Sequence, residues 1–444
     1  MLSVKRNPAD ARSLPWYGWV ALAILLTTES GALLDVFWIR RYFYQFAWCS
    51  YILIVDALTW RRSGQSLLRT APREFTFLAF WSISLWCVFE VINFRLRNWA
   101  YINVPTPSFF DFCLGLLAFA TVLPGVFETE ALLAVCGVWS RGRCRPLRIS
   151  HAVLLGSIAL GAAMLVALLV VPRVAFPLTW GFAVFLCDPI CYRWNRSGSL
   201  LAQWEAGDPS RFLRLLVAGL ICGGLWEFWN YWAYTKWLYT VPGLDQLKWF
   251  EMPPLGFLGF PPFAVECYVL VNCLNIFRRG RGWEHPQGTG APKIIALASV
   301  LFALIFNFAV YAGISRWAVI STAPAMADLA GVAADLVPKL EQAGLSTPPE
   351  FLKAITRRGI GAVAHETGAT EQDVEQAVAA ARLADLDGLG ADNQRALWSL
   401  GIRSVSALAA RDPDALFLDW QRAAEWPPSE ALVRLWIRAA RRST

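Results

Sequence analysis

The sequence predicts an all-α protein: a polytopic membrane helical bundle with an internal parallel duplication, followed by a small soluble all-helical domain. Three observations carry this reading. The 444-residue chain is 56% hydrophobic and only 16% charged, with a positive mean hydropathy, a balance that suits a polytopic membrane protein far better than a soluble enzyme. Nine apolar stretches are long enough to span, given that about 20 helical residues cross the ~30 Å hydrocarbon layer. A spaced pattern in residues 48–128 recurs in residues 180–266, and beyond Ser321 the composition shifts abruptly to Ala, Asp, Glu, Leu and Arg at helical spacing.

The nine stretches lie near 16–36, 42–60, 75–94, 109–137, 151–171, 174–192, 212–234, 250–277 and 294–314. The first is long and lacks a small-residue cleavage site, so it is expected to stay as a span. Loops after the second, fourth, sixth and eighth stretches, with the amino terminus, hold nineteen Lys and Arg against eight on the other side. Short cytoplasmic loops retain positive charge. The expectation is an integral inner (plasma) membrane protein with a cytoplasmic amino terminus and, after nine spans, an extracytoplasmic C-terminal domain. Nine of the ten cysteines lie within spans, where they read as small packing residues rather than a disulfide framework.

The first copy of the repeat reads Trp48, Asp56, Arg61, "RSGQSLL" (62–68), "FEVINF" (89–94), "NWAYINVP" (98–105) and "LPGVFE" (123–128). The second reads Trp180, Asp188, Arg193, "RSGSLL" (196–201), "WEFWNY" (226–231), "KWLYTVP" (236–242) and "PPFAVE" (261–266). Matched positions stand 132 residues apart at the start and 138 at the end. Four crossings return the chain to its starting side, so the copies are expected to be parallel, related by an axis along the membrane normal. The expected divisions are 1–149 and 150–280 for the two repeats, 281–320 for an additional span and linker, and 321–444 for the soluble domain.

The repeat carries matched polar residues inside apolar stretches: Glu90 with Glu227, Asn93 with Asn230, and Glu128 with Glu266. A carboxylate within a bilayer is costly, and its retention points to function. Counting from each span's cytoplasmic arginine at about 1.5 Å per residue puts all four glutamates in one narrow layer of depth. They are the candidate acids and bases, with Asn93 and Asn230 as orienting groups one turn outward. Acids shielded from water are suited to proton transfer near neutral pH; carboxyls that merely tie helices together are the bland alternative. Asp56 and Asp188, nearer the cytoplasmic edge, are expected to hold their own arginines. Trp99, Tyr101, Trp237 and Tyr239 gather at the outer ends of the third and seventh stretches as substrate-binding candidates, against the ordinary reading of an interfacial aromatic belt.

The segments "NWAYINVP" then "LPGVFE", and "KWLYTVP" then "PPFAVE", resemble the integral-membrane carotenoid (lycopene) cyclases. That resemblance implies a long isoprenoid substrate and proton-initiated, redox-neutral chemistry without a cofactor, with Glu128 and Glu266 matching the later carboxylate. In the tail, 329–354 aligns with 386–410, and both resemble the helix-hairpin-helix family, whose Gly-apolar-Gly turn meets a phosphate in nucleic-acid binders. Gly388 and Gly390 keep both glycines; the first copy has Gly331 and Ala333. From residue 321 onward there are 13 Lys and Arg against 16 Asp and Glu, whereas phosphate binding needs a basic face. Nucleic acid is therefore disfavoured, and a protein contact through 321–444 is the expectation.

Three histidines are too few for a histidine-box or haem-ligating bundle, and no Walker or Rossmann motif appears. No metal site is expected. The leading reading is a protein that holds a lipid-like or isoprenoid molecule, among membrane lipids, between its duplicated halves and protonates it. A proton-coupled secondary transporter uses the same carboxylates, and a membrane anchor for the helix-hairpin-helix module is the third reading. With nine spans, protease added outside spheroplasts should remove the 321–444 domain; protection from outside with digestion in inverted vesicles reverses the assignment.

Overall fold

The computed structural model describes residues 13–105, 108–140, 142–240, 248–280, 282, 290–423 and 428–444. The chain is mostly helical and divides into two compact units. The first comprises the described residues within 1–98, 112–233 and 244–315; the second comprises those within 99–111, 234–243 and 316–444.

The principal helices of the first unit are α1 (Trp16–Leu33), α2 (Phe43–Ser63), α3 (Pro72–Leu96), α4 (Phe109–Ala120), α5 (Val122–Val135), α6 (His151–Val170), α7 (Phe182–Trp194), α8 (Ser210–Trp232), α9 (Phe260–Phe277) and α10 (Lys293–Trp317). Local chemistry sets their starts. Pro72 opens α3, where its missing N–H is no loss. Ser150 accepts a bond from the Val153 amide at the start of α6. Among the described residues six segments are long and apolar enough to cross a membrane: Pro72–Leu96, Phe109–Val135, His151–Val170, Ser210–Trp232, Pro254–Phe277 and Lys293–Trp317. Pro172–Thr179 and Phe182–Trp194, bent by 43°, form a seventh if taken as one span; Gly181, at φ 147°, sits at the bend. This is fewer than the nine expected. α1 and α2 are helical, but Thr27, Thr28, Glu29 and Ser30 in one, and Gln45, Asp56, Arg61 and Arg62 in the other, lower their hydropathy. α6 and α10 leave residues such as Leu155, Val166, Leu301 and Phe308 exposed, which suits helices facing lipid rather than water.

α1 packs on α2, α2 on α5 and α3 on α5; α6 packs on α7, α7 on α9 and α8 on α9. α8 also packs on α5 and α2. At that joint the rings of Trp48 and Trp226 lie 5.1 Å apart, and those of Phe89 and Trp180 stack at 5.7 Å. Phe263 adjoins Trp226 at 5.8 Å, Phe89 at 5.3 Å and Trp180 at 5.5 Å, so the aromatic layer is continuous.

The all-α expectation holds, and the second unit adds one short pair of strands to it. β1 (Trp99–Ile102) pairs antiparallel with β2 (Lys236–Tyr239), in the register Trp99 with Tyr239, Ala100 with Leu238, Tyr101 with Trp237 and Ile102 with Lys236. Residues 318–323 run beside β1: Tyr101 N donates to Ala318 O at 2.7 Å, and Ile320 N donates to Tyr101 O at 2.8 Å. Helices α11 (Pro348–Arg358), α12 (Ile360–Thr367), α13 (Glu371–Ala384), α14 (Gly390–Ser399), α15 (Val405–Ala409), α16 (Pro413–Ala423) and α17 (Glu430–Ser443) follow. Thr347 and Glu350 form a capping box on α11, and Thr370, Ser404 and Ser429 cap α13, α15 and α17. One apolar cluster gathers around Phe351, Val363 and Val374. The other surrounds Leu397, Leu416, Trp420 and Trp436, and takes in Ile102 and Leu238 from the strands.

In the first unit, a Cβ at residue 125 would stand 2.8 Å from Trp48 Cζ3. Gly125→Ala should therefore destabilise the unit by about 1–3 kcal/mol. Thermal unfolding in detergent should show a lowered Tm that Trp48→Leu in the same chain partly restores; an unchanged Tm removes Trp48 as the packing constraint.

Candidate functional site

Glu90 on α3, Glu128 on α5, Glu227 on α8 and Glu266 on α9 are all 0% exposed, and Asn93 and Asn230 are buried beside them in sequence. The four acids are not equivalent. Glu266 Oε1 accepts from the Ala183 amide at 3.0 Å, in the first turn of α7, where helix amides have no partner within the helix. That bond ties α9 to α7. No donor group serves either oxygen of Glu128; its carboxyl faces that of Asp56 on α2, close enough to share a proton. Asn93 Oδ1 accepts from the Asn98 amide at 3.0 Å, closing the chain just beyond α3.

Asp56 and Asp188 depart from expectation. Asp56 accepts from Tyr17 Oη at 2.5 Å, Ser66 Oγ at 3.0 Å and the Leu68 amide at 2.9 Å. Asp188 accepts from the Leu200 and Leu201 amides at 2.9 and 2.7 Å. Arg61 and Arg193 each follow their aspartate by five residues, which places them off its helix face. The "RSGQSLL" and "RSGSLL" segments supply the partners instead, because each turns into a Ser-capped short helix whose first amides point back at the carboxylate.

Ion pairs join the remaining polar side chains across helices. Arg278, after α9, meets Glu74 on α3 at 2.7 Å, and Arg214 on α8 meets Glu130 on α5 at 2.7 Å. Trp229 Nε1 donates to Glu29 Oε1 on α1 at 2.7 Å. Of these, Tyr17, Glu29 and the Glu130–Arg214 pair carried no sequence expectation; an acid such as Glu29 inside the first apolar run was the available signal. The thiols of Cys191 and Cys273 approach to 3.3 Å. Among the described residues no cluster of three metal-ligating side chains occurs.

The four aromatic candidates are brought together, in the second unit. By strand alternation Trp99, Tyr101, Trp237 and Tyr239 share one face of the β1–β2 pair, opposite Ile102 and Leu238. Trp237 Nε1 donates to Tyr239 Oη at 2.9 Å. The carboxylates belong to the first unit, so the two groups are two features.

Residues 330–443 match a family model described as a domain of unknown function (DUF4332). No curated protein and no solved structure matches the chain.

Asp188→Ala should leave the Leu200 and Leu201 amides without their acceptor, at a cost of about 1–3 kcal/mol. The measurement is hydrogen exchange over 196–205, which should quicken there and not in α8; uniform exchange across both removes the capping role.

Proposed function

We propose that the chain is an integral membrane protein of two parallel four-helix copies and one additional span, which binds a lipid-like, isoprenoid-class molecule and isomerises it by protonation. The observation that carries the reading is the buried pair of Glu128 and Asp56: Glu128 is fully buried, no donor group serves either of its oxygens, and its carboxyl meets the carboxyl of Asp56. A buried polar group left unsatisfied is expensive and calls for a function. Its repeat partner Glu266 is held by the Ala183 amide, so of the two matched acids one meets a second carboxyl and the other a backbone amide.

The duplication draws support from the repeated packing of α1, α2, α3 and α5 in α6, α7, α8 and α9. The strand register adds to it. Trp99 and Tyr101 match Trp237 and Tyr239 in the repeat, and each Trp pairs with the other strand's Tyr about a central Ala100–Leu238 pair. A local two-fold between the copies gives that arrangement. Counting α1, α2 and the bent pair restores nine spans and, with the loop arginines, a cytoplasmic amino terminus.

In the proposed reaction Glu128 gives a proton to a carbon–carbon double bond, leaving a carbocation. Loss of a proton from a neighbouring carbon to a carboxylate, with Glu90, Glu227 and Glu266 as candidates, forms the new double bond and balances the reaction without redox change. The ring faces of Trp48 and Trp226 are suited to steady the cation. Asn93, Asn230 and the aromatic strand face remain the proposed substrate contacts. Parallel repeats around buried acids also favour a second reading, proton-coupled transport.

Lipids extracted from cells with and without the protein should differ in one isoprenoid-class species, and Glu128→Gln should reduce its formation by about 10²–10⁴-fold while the Tm is kept. Unchanged lipids with pH-dependent uptake into proteoliposomes would instead establish transport. If Glu128→Gln alters neither, and deletion of 321–444 alone abolishes the phenotype, the membrane part is an anchor.

A further inference from the structure

We infer that the C-terminal domain is an intramolecular clasp, in which the glycine hairpin 388–390 is the seat for the paired strands β1 and β2 and holds the outer ends of α3 and α8 together. Gly388 and Gly390 both adopt positive φ, +72° and +71°, a conformation that L side chains rarely take. A Cβ at 388 would stand 2.4 Å from Ile102 Cγ2, and one at 390 would stand 2.4 Å from Ser321 Cβ. The turn that would meet a phosphate in a nucleic-acid binder is therefore filled by the strand and its neighbour. Trp436 Nε1 donates to Asp387 O at 3.3 Å, bracing the turn from the domain side.

The seat takes both strands, not one. Ile102 of β1 and Leu238 of β2 are 1% and 2% exposed within the domain's second apolar cluster. Residues 318–323 extend the grip, with Val104 N donating to Ser321 O at 3.1 Å and Ala323 N donating to Val104 O at 2.8 Å. Thr235 Oγ1 donates to Asn103 O at 2.9 Å, and Asn103 Nδ2 donates to Tyr234 O at 3.2 Å, so the segments flanking the strands also hold each other.

The consequence is mechanical. Two residues, Arg97 and Asn98, link α3 to β1, and three, Ala233 to Thr235, link α8 to β2. A chain spans at most ~3.3–3.6 Å per residue, so these links have little slack. Parting the outer ends of α3 and α8 requires the strands to unpair or the hairpin to release one of them.

The test is hydrogen exchange by mass spectrometry on the full chain in lipid nanodiscs. In Gly388→Ala, peptides covering 99–102 and 236–239 should exchange at least tenfold faster, together, while α3, α8 and α13 keep their protection. Strands that keep their protection, or only one strand losing it, overturn the clasp. If Gly388→Ala also exposes α13, Ile102→Ala decides, because it loosens the seat from the strand side. Joint loss over both strands with α13 protected supports the clasp, and any other pattern overturns it.

Discussion

Removing a polar group from water without giving it a partner costs several kcal/mol, and in a bilayer no water arrives to correct the omission. The first unit, whose helices include six long and apolar enough for a bilayer among the described residues, meets that constraint at the helix ends. Helix interiors satisfy their own amides; the ends are where the sequence must provide. Asp56 and Asp188 receive the first amides of the short helices that follow them, Asn93 receives the Asn98 amide, and Glu266 receives the Ala183 amide. Glu74 and Glu130 take Arg278 and Arg214. Glu128 differs: no donor serves its oxygens and it meets a second carboxyl, that of Asp56, instead, and buried polar groups without donors concentrate where a protein does chemistry.

The aromatic joint meets the same constraint by other means. Trp48, Trp226, Phe263, Phe89 and Trp180 pack edge to face and stacked within one layer, bringing together α2, α8, α9, α3 and the segment leading into α7. Rings of this size fill volume that aliphatic side chains would leave void, and their edge and face charges favour these offsets. Between hydrocarbon tails and helices there is little hydrophobic driving force, so close packing must supply the cohesion. Gly125 under Trp48 shows how closely the backbone is drawn in.

Much of this was legible in the sequence. The apolar stretches became helices where expected, because a 20-residue apolar run has few other ways to satisfy its backbone. The strands were not legible: Trp99–Ile102 and Lys236–Tyr239 are four residues each, too short for alternation to register, and their pairing joins residues 134 to 140 apart. Nor were the partners of Asp56 and Asp188, since spacing suggested arginines while the donors are the Tyr17 and Ser66 hydroxyls and the Leu68 amide for one and the Leu200 and Leu201 amides for the other. The difference between Glu128 and Glu266 was hidden for a related reason. They are identical residues at matched places, and only the approach of the Ala183 amide to one of them and of the Asp56 carboxyl to the other tells them apart.

The tail shows how far a motif can be read from its residues alone. Gly388 and Gly390 of its Gly-Leu-Gly turn both stand at positive φ, a conformation glycine is free to take. What the turn faces is set by charge and shape elsewhere. With 13 basic against 16 acidic residues after position 320, the domain has no net attraction for a phosphate backbone. Ile102, an apolar side chain at 1% exposure, lies over Gly388 instead. A turn without side chains is equally a recess into which a β-branched residue fits, and burial of Ile102 and Leu238 contributes roughly 1.5–3 kcal/mol each. The same glycines that open a turn to an anion in one setting open it to a strand in this one, and the neighbouring apolar residues decide between them.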